Sequence, residues 1–198
     1  MTMTLSLWML WGVVIILALT VLALARQVGV LHERVAPVGA LLSGAGPGVG
    51  EAAPRLELQA LAGNTVTVGG RLAQGRALLL LFVSHTCPIC KKLIPVTQDF
   101  TKTERLDVLY AGDADLAEQH RLITQFGIDG RRFVNGPQIG LAFRVDKLPY
   151  AVLLDEEGVI SAKGLVNSRE HLESLIIAKE SGFATLQSYL KAQPEAAR

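Results

Sequence analysis

One stretch limits what this chain can become. Ser84-His85-Thr86-Cys87-Pro88-Ile89-Cys90-Lys91-Lys92 holds the only two cysteines of its 198 residues. Before it runs Ala77-Leu78-Leu79-Leu80-Leu81-Phe82-Val83, an apolar run short enough for a buried strand and preceded by Gly75. After it, Leu93, Ile94, Val96 and Phe100 recur at helical spacing. Strand, cysteine pair, helix is the setting in which such a pair reads as a redox dithiol. Cys87 is expected at the helix N-terminus, where unpaired backbone N–H groups and the macrodipole favour negative charge on sulfur. Pro88 then takes the first helical position, which suits its fixed φ and missing donor. Cys90, one turn in, is expected to be more buried and to resolve a mixed disulfide formed by Cys87. A structural disulfide and half of a zinc site are the alternatives. A zinc site needs a second ligand pair at suitable spacing; there is no third cysteine, and His32, His85, His120 and His171 are scattered.

Half of the residues are hydrophobic and the mean hydropathy is +0.36, high for a soluble protein. The excess lies at the N-terminus. Leu5 through Ala25 is an uncharged apolar run of about twenty residues, long enough to cross a bilayer core as a helix. Trp8 and Trp11 lie towards one end, where indole rings favour the interface. Ala23-Leu24-Ala25 also reads as a signal-peptidase site, but the run is longer than a signal core and no basic residue precedes it. An uncleaved anchor is the favoured reading. Arg26 and Arg34 follow the span, so the positive-inside rule alone puts the rest of the chain in the cytoplasm.

Residues 1–36 are thus read as an anchor with its juxtamembrane segment, and 37–53, rich in Gly, Pro and Ala, as a flexible linker. Leu56-Glu57-Leu58 and Thr65-Val66-Thr67-Val68 alternate apolar with polar around Gly63-Asn64, the pattern of a hairpin. Pro95 interrupts the helix opened by the cysteines and is expected to kink it. Leu106 to Ala111 reads as the next strand, and Asp113 or Asp115 caps a helix carrying Leu116, Leu122, Ile123 and Phe126 that ends at Gly127. This alternation implies parallel strands and an α/β sheet. Pro137 to Val145 shows no clear period, at most one helical turn and a loop. Tyr150–Leu154 and Val159–Ala162 flank Asp155-Glu156-Glu157-Gly158 as a terminal hairpin. Ser168-Arg169-Glu170-His171 opens a closing helix that runs through Leu172, Leu175 and Ile176 towards Leu186 and Leu190, leaving 191–198 as a tail.

With these elements in place, residues 54–190 resemble the thioredoxin fold, a central mixed sheet flanked by helices, here behind an N-terminal transmembrane helix. Pro95 matches that fold's helix-kinking proline. Pro149 matches its cis-proline, which implies a cis Leu148–Pro149 bond beside the dithiol. The hairpin before the core and the anchor are similar to the membrane-tethered TlpA and ResA group. Cys-Pro-Ile-Cys followed by Lys-Lys-Leu-Ile-Pro, together with Lys147-Leu148-Pro149-Tyr150, looks like the MauD family of methylamine utilisation proteins. That resemblance implies a thiol–disulfide oxidoreductase or isomerase held in the inner membrane, its domain in the periplasm. It implies a maturation role for the small (beta) subunit of methylamine dehydrogenase, alongside other maturation proteins of the pathway. It also implies catalysis by Cys87 and Cys90, substrate binding at Leu148 and Pro149, and no cofactor beyond a redox-active Cys87–Cys90 disulfide. Two departures stand out: Thr86 replaces the tryptophan of thioredoxins, and Leu81 falls where they carry a buried acid, leaving no base assigned to Cys90. A ResA-like reductase for cytochrome c maturation and a non-catalytic binding chaperone are the other readings.

Around the dithiol, Pro88 and His85 are the candidates for tuning it; His85 reads equally as a solvated residue at a strand end. Lys91, Lys92 and the pair Arg131-Arg132 read as solvated charges. A net charge of +1 gives no argument for nucleic acid, and no glycine-rich loop with a following lysine suggests phosphate binding.

Overall fold

The computed structural model describes residues 7–22, 46–72 and 75–181. The chain divides into two compact units, Met1–Val38 and Gly39–Arg198. In the first, residues 7–22 form helix α1. Leu, Trp, Met, Val and Ile side chains are exposed along its whole length, Trp8 at 78% and Leu22 at 69%. Among the described residues no helix is long and apolar enough to cross a membrane. The expected transmembrane helix, Leu5–Ala25, extends past α1 at both ends into residues outside the described ones, so the described residues do not establish a span.

The second unit is built on the apolar run identified above. Strand β3 (Leu78–Phe82) is buried at every position and occupies the centre of a five-stranded sheet. A central strand has both faces covered, which is why its residues read as continuous rather than alternating apolar. Leu79, Leu81 and Val83 join one core with helices α2 (Pro88–Thr103) and α5 (Arg169–Ser181). Leu78, Leu80 and Phe82 join a second core with Ile139 of α4 (Pro137–Ala142) and with Val68. β3 pairs parallel with β4 (Asp107–Gly112) and antiparallel with β6 (Tyr150–Leu154); β5 (Phe133–Asn135) and β7 (Ile160–Leu165) are the outer strands. The order β5-β4-β3-β6-β7, parallel at β3–β4 and antiparallel at β3–β6, is the mixed sheet implied by the resemblance to the thioredoxin fold.

The predicted hairpin forms, β1 (Leu56–Gln59) against β2 (Thr65–Val68), with Leu56, Leu58 and Val66 packed on the α4-side core. Pro95 lies inside α2. The buried Thr97 and Thr101 on that helix donate their hydroxyls to carbonyls one turn back, at 3.0 and 2.9 Å, so neither hydroxyl is left unpaired. α3 (Leu116–Phe126) ends, as expected, at Gly127, whose φ of 60° suits a residue without a Cβ. Its start differs from expectation. Asp115 occupies the N-cap, yet its side chain makes no capping bond. The turn is held from outside: Asn135 accepts from Ala114 N and Gln119 Nε2 and donates to Ala114 O.

Three further differences have local causes. β5 is absent from the sequence reading because three residues between an arginine pair and Gly136-Pro137 carry too little pattern. α4 forms from the stretch Pro137–Val145, with Pro137 at its first turn. The segment expected as a flexible linker is, over its described part, tied down: Gly50 N bonds Ile160 O, Ile160 N bonds Glu51 O, and Ala53 N bonds Gly158 O, all within 2.9 Å. Lys163, 6% exposed, reaches across to the carbonyls of Gly46 and Pro47. Gly46 passes so close to Phe143 that a Cβ would sit 2.2 Å from its carbonyl oxygen. Leu186, Leu190 and the expected tail 191–198 lie outside the described residues.

Candidate active site

The sheet and α2 together place the cysteines. β3 ends at Phe82, the chain turns through Ser84, His85 and Thr86, and α2 begins at Pro88 with Cys87 as its N-cap. Three bonds shape the turn: Cys87 N donates to Ser84 O, Thr86 N donates to Ser84 Oγ, and the Ser84 and Thr86 hydroxyls bond each other at 2.9 Å. Pro88 takes the first helical position, as expected. Cys87 Sγ accepts the backbone N–H of Cys90 at 3.1 Å, so the sulfur itself caps the helix.

The two thiols are free and unlike. Cys87 is half-buried and its neighbour Ile89 exposed; Cys90 is fully buried with Leu93 and Ile94 in the α2-side core. Burial pushes the Cys90 thiol up from 9.0 to about 12, and its hydrogen bond to Cys87 adds to the effect, while a backbone hydrogen bond at Ser84 opposes it. No carboxylate contributes. Leu81 is 0% exposed in the same core, which agrees with the lack of an acid there. Ser84 is the contributor that sequence reasoning missed; a backbone group leaves no trace in residue type.

The remaining candidates fall at or near the same place. The Leu148–Pro149 bond is cis. Phe82 pairs with Tyr150, so Pro149 lies one step beyond β6 at the sheet end from which Cys87 emerges. Pro149 is buried and its carbonyl accepts Val166 N at 3.1 Å; Leu148 is 40% exposed. His85 is half-buried with its Nδ1 out of solvent and lacking a hydrogen-bond partner, and it is not among the groups acting on Cys90. Lys91, Lys92, Arg131 and Arg132 are exposed, as expected of solvated charges. Among the described residues no group of three or more His, Cys, Asp or Glu side chains could hold a metal ion.

A mixed five-stranded sheet with an accessible helix-capping sulfur and a buried partner three residues on defines a protein of the thioredoxin-like class. Solved structures share the architecture: a thioredoxin-family thiol:disulfide interchange protein from Chlorobium tepidum (TM-score 0.54, 18% identity, 66% of this chain and 96% of that one) is similar. So is the thioredoxin domain of a thiol-disulfide oxidoreductase from Bacteroides vulgatus (TM-score 0.52, 20% identity, 65% and 98%). No protein-family model matches the sequence. The sequence relatives are closer. Methylamine utilization protein MauD of Methylobacillus flagellatus is 43% identical over 92% of this chain and 89% of the relative. MauD of Paracoccus denitrificans is 42% identical over 96% and 94%, and that of Methylorubrum extorquens 44% identical over 92% and 89%. The chain belongs to the MauD family of methylamine utilization proteins.

Proposed function

We propose that this chain is a thiol–disulfide oxidoreductase that matures the small subunit of methylamine dehydrogenase, with Cys87 as the attacking group and Cys90 as the resolving one. One observation carries the chemistry: an accessible sulfur at a helix N-cap, with a second thiol buried three residues later. Cys87 sulfur attacks a substrate disulfide, a bond forms between the two sulfurs, and the other substrate sulfur leaves with the electron pair and takes up a proton. Cys90 then gives up its proton and attacks Cys87 Sγ, closing the Cys87–Cys90 disulfide and releasing the second substrate thiol. The reverse sequence forms a substrate disulfide from two thiols. The first step followed by its own reversal on a different substrate sulfur rearranges one. With no acid beside Cys90, the departing substrate thiolate is the natural acceptor of its proton.

The methylamine dehydrogenase assignment is supported by membership of the MauD family. The inner-membrane anchor is supported by α1, sixteen residues of uninterrupted helix whose large apolar side chains are exposed. We place the thioredoxin-like domain in the periplasm. A reporter fused at the C-terminus and active only outside the cytoplasm is expected to be active; a reporter active only inside would overturn that topology.

The function is tested by trapping. Cys90→Ala leaves Cys87 able to attack but removes the thiol that releases it, so covalent complexes containing the methylamine dehydrogenase small subunit should accumulate on non-reducing gels. Apocytochrome among the trapped species instead would favour a ResA-like reductase. Equal trapping by Cys87→Ala would defeat the assignment of the attacking sulfur.

A further inference from the structure

The sheet end that carries the dithiol opens, on the α4 side, into a cleft of about 240 Å3. It runs from Phe82 and Val83 at the end of β3, past the turn after β4, to α4 and Leu148. Its size is below the roughly 300–1,000 Å3 of sites that enclose small organic ligands, and suits one or two amino-acid side chains. Its lining is mostly apolar; the charged residues in it are Asp113 and Asp146, both exposed. Large apolar side chains are also exposed at this end: Ile89 at 45%, Leu141 at 72% and Leu148 at 40%. Exposed leucine and isoleucine around a reactive sulfur mark a surface that meets another polypeptide.

The path into the cleft is continuous with the dithiol. Val83 leads directly into the turn that carries Cys87, and Leu148 directly precedes Pro149. A chain with one sulfur at Cys87 and its backbone along Leu148 and Pro149 continues over the cleft mouth within a residue or two. We propose that the cleft receives a large apolar side chain of an extended protein substrate, next to the cysteine that pairs with Cys87, and that Asp113 and Asp146 select a lysine or arginine beside it. This rests on the oxidoreductase reading above and adds to it the sequence that the enzyme recognises.

Gly140 supplies a clean test. It lines the cleft from within α4, and a Cβ built on it meets nothing within 4 Å. Gly140→Leu therefore fills the cleft while replacing a poor helix former by a good one. The full-length reduced protein, in detergent, would be reacted with three peptides, each carrying one cysteine as a mixed disulfide with glutathione. Flanking positions would be Leu with Lys, Ser with Lys, and Leu with Glu, and hydroxyethyl disulfide serves as the small reference. The Leu-Lys peptide should react about tenfold faster than the Ser-Lys peptide, a factor equal to ~1.4 kcal/mol of contact. The ratio of its rate to that of hydroxyethyl disulfide should fall by a similar factor in Gly140→Leu. In Asp113→Asn/Asp146→Asn the advantage of Lys over Glu should disappear. If the wild type fails to react with hydroxyethyl disulfide, the oxidoreductase reading fails and this proposal with it. If it reacts with that reagent but handles all three peptides at one rate, only the cleft assignment is overturned. A concentration-dependent sedimentation coefficient that Gly140→Leu abolishes, without peptide discrimination, would also overturn it by making the cleft a self-association face.

Discussion

The two faces of the central sheet are equally apolar but differently finished at the dithiol end. On the α2 side, Leu79, Leu81, Cys90, Leu93 and Ile94 are sealed, each at 1% exposure or less. On the α4 side, Leu80, Val152 and Ile160 are sealed as well, yet the top of that layer stays open as the cleft beside Leu148. A closed face holds a thiol in its protonated form; an open one leaves room for a visitor. Reaction and selection can thus be altered separately, although both sit on the same strand.

The largest effects should come from the closed face. Cys87→Ala should abolish exchange with any disulfide, small or large, in a stopped-flow assay, whereas changes confined to the cleft should alter the ranking of substrates. Next in size are the cores themselves. Leu81→Ala and Leu80→Ala each remove a side chain with 0% exposure, one from each face. Each should cost about 2–5 kcal/mol in denaturant unfolding. If the faces differ as described, only Leu81→Ala should also speed alkylation of Cys90, because only that void opens on the thiol's own core.

Titration sharpens the contrast further. The Cys90 thiol is raised from 9.0 to about 12 in the fold, chiefly by burial. The folded state therefore holds that proton more tightly than the unfolded chain, so stability is full below about pH 9 and is lost as pH climbs towards 12. Reduced wild type should lose stability across that window more steeply than Cys90→Ala. Tyr110, also pushed up by burial, titrates in both proteins and cancels in the difference. The smallest expected effect lies away from the dithiol. Gly127→Ala forces a Cβ into the left-handed region at φ 60° and should cost about 1 kcal/mol, with exchange rates unchanged.

Much of the α2 face was legible because its signals are local. Two cysteines around a proline, an apolar run before them and a helical period after them need no distant partner to be read. The α4 face was not. β5 is held by pairing with β4 at Tyr110, Ala111 and Gly112, an interaction invisible in Phe133-Val134-Asn135 taken alone. α4 is too short for a period to develop. Asp115 has the right residue type for a cap, but Asn135, twenty residues on, holds the turn instead. Lys163 lies beyond the strand Val159–Ala162 read from the sequence; it is buried beside the carbonyls of Gly46 and Pro47, which come to it from more than a hundred residues away. The cleft is bounded by these same elements, so it went unseen with them.

The strap from Gly46 to Ala53 also has a mechanical meaning. Its hydrogen bonds to Gly158 and Ile160 run side by side along the edge of the sheet, and Lys163 adds a fastening upstream. Tension arriving along the chain from the N-terminal side would load those bonds together, in shear, rather than peel them one at a time. That load enters the molecule through the β6–β7 hairpin, on the far side of β3 from β4 and β5. The turn that presents Cys87 is not in the line of force, so a pull on the chain ahead of Gly46 would be absorbed before it could disturb the sulfur.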